Sequence, residues 1–135
     1  MDKAEILSRL KKEKLIAVIR TDYDSAVQKI NAILKGGIYF IEITLTMPNS
    51  LEILKNVKLM CKEDKIVVGA GTVLDPISAR TAMLYGADFI VSPAFDEGTA
   101  KICNLYKKVY IPGIQTSTDI KTCLSCGVDI MKLFP

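Results

Sequence analysis

YGADF (residues 85–89) and CGVDI (residues 126–130) are near copies of each other, and each joins a helical pattern to a strand-like one. In both, a glycine follows the last residue of the helical pattern, as glycine often does where a helix ends in a left-handed turn. A short run of apolar, β-branched residues begins almost at once. Two helices that each lead directly into a strand indicate a chain built of repeated β–α units.

Six apolar runs of the strand type recur along the chain at a regular spacing. They cover residues 15–20, 38–45, 65–73, 88–95, 108–115 and 129–135. Their apolar residues follow one another rather than alternate with polar ones, which is typical of parallel strands buried on both faces. We therefore predict six strands, each covered on both sides.

Five helical patterns separate these runs, each with apolar residues on one face. They cover residues 25–35, 50–61, 76–85, 97–106 and 117–126. Start signals stand at Asp24-Ser25, Asn49-Ser50 and Asp75-Pro76. Residues 1–14 form a further amphipathic pattern, and we expect its basic residues 11–14 to be the solvated end of a first helix.

Strict alternation of strands and helices predicts one α/β domain over residues 1–135, with a parallel sheet and right-handed crossovers. Two architectures fit this pattern. About six strands and five helices suit an open doubly wound parallel sheet. A (β/α)8 barrel of the TIM type normally needs at least about 200 residues, so the count alone favours the open sheet.

Composition argues against several classes of partner. The net charge is +3, from 18 basic and 15 acidic side chains spread along the whole chain. Such a weak and dispersed charge predicts neither a nucleic-acid-binding nor a membrane-binding surface. No apolar run approaches the roughly 18 residues of a membrane-spanning helix, and the N-terminus lacks a signal-peptide pattern. We expect a cytoplasmic protein.

The four cysteines are expected to be free thiols in that compartment. Cys123 and Cys126 form a C-x-x-C pair, but they lie in a predicted helix and no second pair completes a zinc site. The sequence also has no histidine, the commonest metal ligand. We predict small helix residues at these positions, and no metal site.

Glu42 and Lys132 stand out because each lies inside an apolar strand, where a lone charge is costly. One interpretation is a buried ion pair between strands. The other is a lysine that burial leaves as a free amine able to attack a carbonyl group, with Glu42 moving protons beside it. Active sites of parallel α/β proteins lie beyond the carboxyl ends of the strands. Glu42 and Lys132 belong to the polar groups expected at that end of the sheet.

The run Gly69-Ala70-Gly71 is a weaker signal. It does not complete a dinucleotide-binding G-x-G-x-x-G pattern, because Leu74 occupies the last position. Small residues there would let a ligand approach the backbone or let a helix pack on the strand. The sequence leaves both interpretations open.

Five motifs in order carry a family resemblance: GGIYFIEITLTMPNS, IVVGAGTVLDP, GADFIVSPAFD, YIPGIQTSTDI and GVDIMKLFP. Together they closely resemble the 2-dehydro-3-deoxy-phosphogluconate (KDPG) and 4-hydroxy-2-oxoglutarate (KHG) aldolase family, from about Leu15 to Pro135. The resemblance implies a (β/α)8 barrel and a class I aldolase, commonly a homotrimer, that needs no metal or other cofactor. It implies cleavage of a small 2-oxo acid to pyruvate and an aldehyde, either glyceraldehyde 3-phosphate or glyoxylate.

The same resemblance implies a role for each candidate site residue. Lys132 would form the Schiff base with the 2-oxo acid, and Glu42 would be the general acid and base. The remaining candidates would hold or shape the substrate: Arg20 for its anionic group, Thr72 for its carboxylate, Pro93 and Phe134 for the pocket, and Thr46 where some members carry arginine.

The family continues beyond K-L-F-P with a further helix and two more β–α units. We therefore expect residues 1–135 to be about the N-terminal two-thirds of an aldolase barrel, truncated at its C-terminal end. Six strands without the last two would leave open sheet edges that invite pairing with another chain. The alternative function is accordingly an inactive or self-associating fragment.

Overall fold

A computed structural model describes residues 1–60 and 65–135. Six helices and six strands alternate within these residues. The helices are α1 (Lys3–Glu13), α2 (Tyr23–Lys35), α3 (Ser50–Met60), α4 (Pro76–Leu84), α5 (Glu97–Leu105) and α6 (Ser117–Ser125). The strands are β1 (Ala17–Ile19), β2 (Phe40–Thr44), β3 (Val67–Gly71), β4 (Phe89–Ser92), β5 (Val109–Ile114) and β6 (Lys132–Leu133). None of the helices so described has the length and apolar character to cross a bilayer.

The sheet is parallel throughout, and its strands follow one another in chain order from β1 to β6. In a doubly wound sheet the order of the strands reverses at a switch point, and in this sheet it does not. Right-handed crossovers that always step the same way place the connecting helices on one face of the sheet. The open doubly wound alternative is therefore wrong, and the barrel type implied by the resemblance is confirmed as a half-barrel of six strands.

The two faces of the sheet carry different clusters, because successive strand residues point to opposite sides. The outer face packs beneath the helices and includes Ile41, Ile43, Val68, Ala70 and Ile90. The inner face has its own apolar cluster, formed by Phe40, Val67, Phe89, Val91, Val109 and Ile111. Residues of β2 at alternate positions from Phe40 therefore point into the half-barrel, and Glu42 is one of them.

Helix α1 covers the N-terminal end of this inner face. Ile6 is 2% exposed and joins the inner cluster with Phe40, the first residue of β2. The guanidinium carbon of Arg9 lies 5.6 Å from the centroid of the Phe40 ring. Lys3 Nζ pairs with Asp129 Oδ2 at 2.7 Å, which links α1 to the segment before β6. Residues 11, 12 and 14 are exposed, so the predicted solvated helix end is confirmed.

Two predictions about elements were wrong. Helix α2 begins at Tyr23 instead of Ser25, because the carboxylate of Asp22 accepts from Ser25 N at 2.9 Å and caps the helix two residues earlier. The outer strands are not covered on both faces, since Val18 in β1 is 52% exposed and Leu133 in β6 is 79% exposed. Each lies at an edge of the half-barrel, where no further strand covers it. The four central strands are buried as predicted.

The near-copy motifs have the same structure. Gly86 and Gly127 take φ angles of 103° and 74°, which favour glycine because it lacks a Cβ. The next residue in each motif donates its N–H back to the helix, Ala87 to Ala82 O at 3.0 Å and Val128 to Cys123 O at 3.1 Å. The prediction that both helices end in the same way is confirmed.

The cysteines of the described residues are free thiols. Cys103 and Cys123 are buried, and Cys126 is half-buried at the C-terminal cap of α6. Burial raises the pKa of the Cys103 thiol to about 12, which makes it unreactive at neutral pH. Cys61, also predicted to be a thiol and the last residue of its helix, lies outside the described residues.

Candidate active site

Glu42 lies in the middle of β2 and points into the half-barrel. It pairs in register with Val18 of β1 and Gly69 of β3, and only 5% of its surface is exposed. Its carboxylate extends along the inner face until it lies against Gly71. A Cβ atom at position 71 would overlap that carboxylate, so the glycine leaves the space that the glutamate occupies.

Lys132 is the first residue of β6 and pairs in register with Gly113 of β5. Its side chain is partly exposed, so the prediction that it lies inside a buried strand is wrong: β6 is a two-residue edge strand, and Lys132 begins it. The Nζ atom lies 4.4 Å from the centroid of the Phe134 ring, within the range of a cation–π contact. The N–H of Phe134 donates to Ile114 O at 3.2 Å, which anchors the end of β6 on β5.

One cavity of about 560 Å³ brings Glu42 and Lys132 together, although their strands are not neighbours. Its remaining walls are mostly apolar and include Val18, Val91 and Ile111. The two charged groups form no ion pair within 4.0 Å, while pairs at that distance are present elsewhere in the described residues. The interpretation as a buried ion pair between the strands is therefore wrong, and both groups face the same cavity.

Burial raises the pKa of the Glu42 carboxyl above its ordinary value of 4.5. The positive charges of Lys132 and Arg20 oppose this effect but do not cancel it. A carboxyl group whose pKa moves toward neutrality can both accept and donate protons in one reaction cycle. Glu42 therefore has the electrostatic setting of a general acid and base.

Polar residues lie at or just beyond the carboxyl ends of β1 and β2. Arg20 is exposed directly after β1, where it acts on Glu42 through its charge. The Thr44 hydroxyl donates to Ile19 O at 3.3 Å, and the Thr46 hydroxyl lies 3.4 Å from that of Thr44. Thr46 itself is exposed.

Thr72 follows directly after Gly71 and has a φ angle of 57°. This left-handed conformation is rare for a β-branched residue, and such strain is commonly found at functional sites. The last residue of β3 thus makes room for Glu42, and the residue after it is held in a strained conformation.

Pro93 and Phe134 line a second cavity of about 350 Å³, together with Gly113, Gln115 and Asp119. The Pro93 carbonyl oxygen occupies the space that a Cβ at Gly113 would need. Phe134 connects the two cavities, because its ring also contacts Lys132 of the first one. Neither of these two cavities is lined by Arg20, Thr46 or Thr72.

Sequence reasoning missed the role of the glycine run. Both Gly69 and Gly71 leave space for side chains of the inner face, Gly69 for the ring of Phe89 and Gly71 for the carboxylate of Glu42. These two side chains, and not a packed helix, fill the positions. Aligning β2 with β3 by their inner-face residues could have indicated that the Glu42 side chain lies against Gly71. Lys11 and Lys14 of the α1 end also line the larger cavity and were not predicted.

Comparison with known proteins gives a consistent result. The family model for KDPG and KHG aldolases matches residues 6–135. A 2-dehydro-3-deoxy-phosphogluconate aldolase of Treponema pallidum is 31% identical over 131 residues, which is 96% of this chain and 61% of the relative. The chain thus spans about three fifths of that relative's length.

Two solved structures share the fold. The 2-keto-3-deoxy-6-phosphogluconate aldolase of Zymomonas mobilis, solved with 3-phosphoglycerate, is 32% identical with a TM-score of 0.80, over 89% of this chain and 56% of its own. The KDPG aldolase of Legionella pneumophila is 27% identical with a TM-score of 0.82, over 89% of this chain and 58% of its own. In that structure pyruvate is captured at low pH as a covalent carbinolamine intermediate.

Proposed function

Because this chain belongs to the KDPG and KHG aldolase family, we propose that it carries the catalytic pair of a class I aldolase that cleaves a 4-hydroxy-2-oxo acid to pyruvate and an aldehyde. The observation that carries the proposal is the single cavity lined by both Lys132 and Glu42. A lysine amine and a carboxyl group with raised pKa are the two groups that this chemistry requires.

The reaction begins when the Lys132 amine attacks C2 of the 2-oxo acid. Loss of water from the resulting carbinolamine leaves a protonated imine, which withdraws electrons from the neighbouring carbon atoms. The Glu42 carboxylate accepts the proton of the C4 hydroxyl as the C3–C4 bond breaks, and the aldehyde leaves. The electron pair of that bond is held as an enamine, Glu42 returns a proton to C3, and water releases pyruvate from the lysine.

The other candidate residues would position the substrate. Arg20 would supply positive charge for an anionic group, and Thr72 would donate to the carboxylate. Thr46 would add a hydroxyl donor near Thr44, while Pro93 and Phe134 would form the pocket wall. Support comes from their positions just beyond the carboxyl ends of β1, β2, β3, β4 and β6, and from the contact between Phe134 and Lys132.

The substrates proposed for this site are 2-dehydro-3-deoxy-6-phosphogluconate and 4-hydroxy-2-oxoglutarate, the two compounds for which the family is named. Both present the same 4-hydroxy-2-oxo acid unit to the lysine. The imine supplies the electron sink, so the proposed reaction needs no metal or other cofactor. A cytoplasmic location, as predicted from the sequence, is part of the same proposal.

Borohydride trapping tests the catalytic proposal. Incubation of the full chain with pyruvate and sodium borohydride should reduce the imine and add the mass of the trapped three-carbon acid to the peptide containing Lys132. Lys132→Arg keeps the charge but removes the nucleophilic amine, and should give no adduct. Absence of an adduct in the unmodified chain, or its presence on other lysines only, would contradict the assignment.

A second candidate function is self-association. The exposed side chains of Val18 and Leu133, on the two edge strands, favour association with another chain. A homo-oligomer is therefore proposed together with the enzyme, and the family resemblance makes a trimer its expected form. Solution mass at several concentrations separates an assembly from a monomer, and trapping shows whether either form is catalytic.

A further inference from the structure

We propose that Gly71 is a positioning residue that fixes the orientation of the Glu42 carboxylate; the catalytic meaning of this inference rests on the proposed function. Gly71 is the last residue of β3 and pairs in register with Thr44 of β2. Gly69, two residues earlier, is the register partner of Glu42 itself. The glutamate side chain therefore leans past its direct neighbour toward the carboxyl end of the sheet.

The space beside Gly71 is occupied by the side chain of Glu42. A Cβ atom built there would approach Glu42 Cγ to 2.7 Å and overlap the carboxylate beyond it. Carbon atoms at rest lie about 3.5–4.0 Å apart, so the added methyl group would force the carboxylate to move. The three nearest atoms all belong to Glu42, which makes the contact specific to this side chain.

Hydrogen bonds hold the backbone on both sides of Gly71, so it would not move away to relieve such an overlap. Leu45 N donates to Gly71 O at 2.9 Å, which holds this residue against the end of β2. On the other side, Val73 N donates to Val91 O at 3.1 Å, which holds the following turn against β4. Thr72, between these two anchors, already has a strained φ of 57°. The glutamate would therefore have to yield.

Shape has to orient this carboxylate, since no hydrogen bond to Glu42 is found within residues 1–60 and 65–135. Most buried polar groups are held by hydrogen-bond partners. A catalytic carboxylate without them depends on the walls of its pocket for its position. The missing side chain at Gly71 provides one such wall.

Gly69 is the contrasting case on the same strand and the same face. Its missing Cβ leaves room for the ring of Phe89, a residue of the inner apolar cluster. Gly69 therefore serves core packing, whereas Gly71 serves the candidate site. The position of a glycine along β3 decides which of the two roles it has.

A stability cycle tests the geometry without any reference to activity. Gly71→Ala should lower the urea midpoint of unfolding, and Glu42→Ala in the same chain should restore much of that loss because the overlapping carboxylate is gone. Independent sites give additive effects, and overlapping ones do not. Additive losses in the double variant would overturn the proposal. If Gly71→Ala alone fails to fold, recovery of a folded Gly71→Ala/Glu42→Ala protein counts for it, and failure of both variants counts against it.

An exchange experiment then tests the catalytic meaning. Pyruvate bound as imine and enamine should exchange its methyl protons with D2O through Glu42, and proton NMR measures that rate. Gly71→Ala should slow the exchange by tenfold or more, about what a small misplacement of a catalytic group costs, while borohydride trapping at Lys132 changes less than about threefold. Glu42→Asp in the Gly71→Ala chain should recover part of the rate, because the shorter side chain clears the added methyl group.

Ala70→Gly is the matched control, because Ala70 belongs to the outer cluster beneath the helices. It should weaken the fold without a selective loss of exchange. Equal losses of exchange and trapping in Gly71→Ala would overturn the positioning role. If the unmodified chain shows neither exchange nor trapping, the proposed function fails, and the stability cycle still decides whether Gly71 seats Glu42.

Discussion

The ammonium of Lys132 lies 4.4 Å from the centroid of the Phe134 ring, two residues further along the chain. The electron-rich face of an aromatic ring attracts cations, and the contact is worth about 0.5–1 kcal/mol where solvent has access. The protonated imine proposed for Lys132 is also a cation, so the same ring face would stabilise it. Relative to the uncharged amine that would attack the 2-oxo acid, the ring would therefore favour the proposed imine.

We predict that Phe134→Leu lowers the yield of pyruvate trapped at Lys132 by about two- to fivefold, the equivalent of the lost contact. Quantitative mass spectrometry of the borohydride-reduced chain measures the yield. Leu133→Ala is the control, because that side chain is 79% exposed and should leave the yield unchanged. An undiminished yield in Phe134→Leu would show that the ring does not assist the lysine.

Stability should depend on pH through Glu42. Burial raises its pKa above 4.5 in the folded state, so the folded chain binds more protons than the unfolded chain once the pH exceeds that value. The contribution of Glu42 is therefore fully present below pH 4.5 and is lost as the pH rises through the folded-state pKa. We predict that the stability of Glu42→Gln, relative to that of the unmodified chain, is higher at pH 8 than at pH 4. Urea unfolding at both pH values measures the difference. A difference that is the same at both pH values would refute it.

Asp88 should contribute more to stability than its counterpart in the second near-copy motif. Lys58 Nζ lies 2.6 and 2.8 Å from its two carboxylate oxygens, and Val68 N donates to it at 3.0 Å. We predict that Asp88→Ala lowers the free energy of unfolding by about 1–3 kcal/mol, because a buried donor is left without its acceptor.

Asp129→Ala provides the comparison for that prediction. Asp129 pairs with Lys3 through a side chain that is 42% exposed, and surface pairs of this kind contribute about 0–1 kcal/mol. Chemical unfolding of the two variants side by side measures the difference. A larger loss for Asp129→Ala than for Asp88→Ala would reverse the predicted order.

Charges on the edge strands should reduce association. Val18→Lys on β1 and Leu133→Lys on β6 place an ammonium on each exposed edge, the device by which natural sheets avoid pairing with one another. We predict that the double variant sediments as a smaller species than the unmodified chain at micromolar concentration. The unfolding midpoint should change little, since both replaced side chains are already exposed. An unmodified chain that is monomeric throughout would rule out the assembly.

Much of the fold could be predicted because its signals are local. The helix ends at Gly86 and Gly127 depend only on residues within one turn, and both occur as expected. The order of the strands could not be predicted from the alternation alone, because doubly wound sheets and barrels share the same alternation. The start of α2 was misplaced for a related reason, since Asp22 and Asp24 are both capable of capping and only the structure shows which one does.

The candidate site, like the fold, could be predicted only in part from the sequence. A charge inside an apolar strand is visible in the sequence, and it led directly to Glu42 and Lys132. The relationship between Glu42 and Gly71 depends on the register of two strands, which a single strand does not specify. Similarly, the amphipathic pattern of residues 1–14 predicts that α1 buries one face, but the identity of the surface it covers depends on the assembled sheet.

The bridge between Lys3 and Asp129 joins two segments that lie far apart in the sequence. It joins the first turn of the first helix to the segment that leads into Lys132, three positions further on. Purification tags and trimmed start sites are usually regarded as harmless at an N-terminus. In this protein such changes would act, through this bridge, on the segment that leads into Lys132, so the choice of start site would bear on the candidate site.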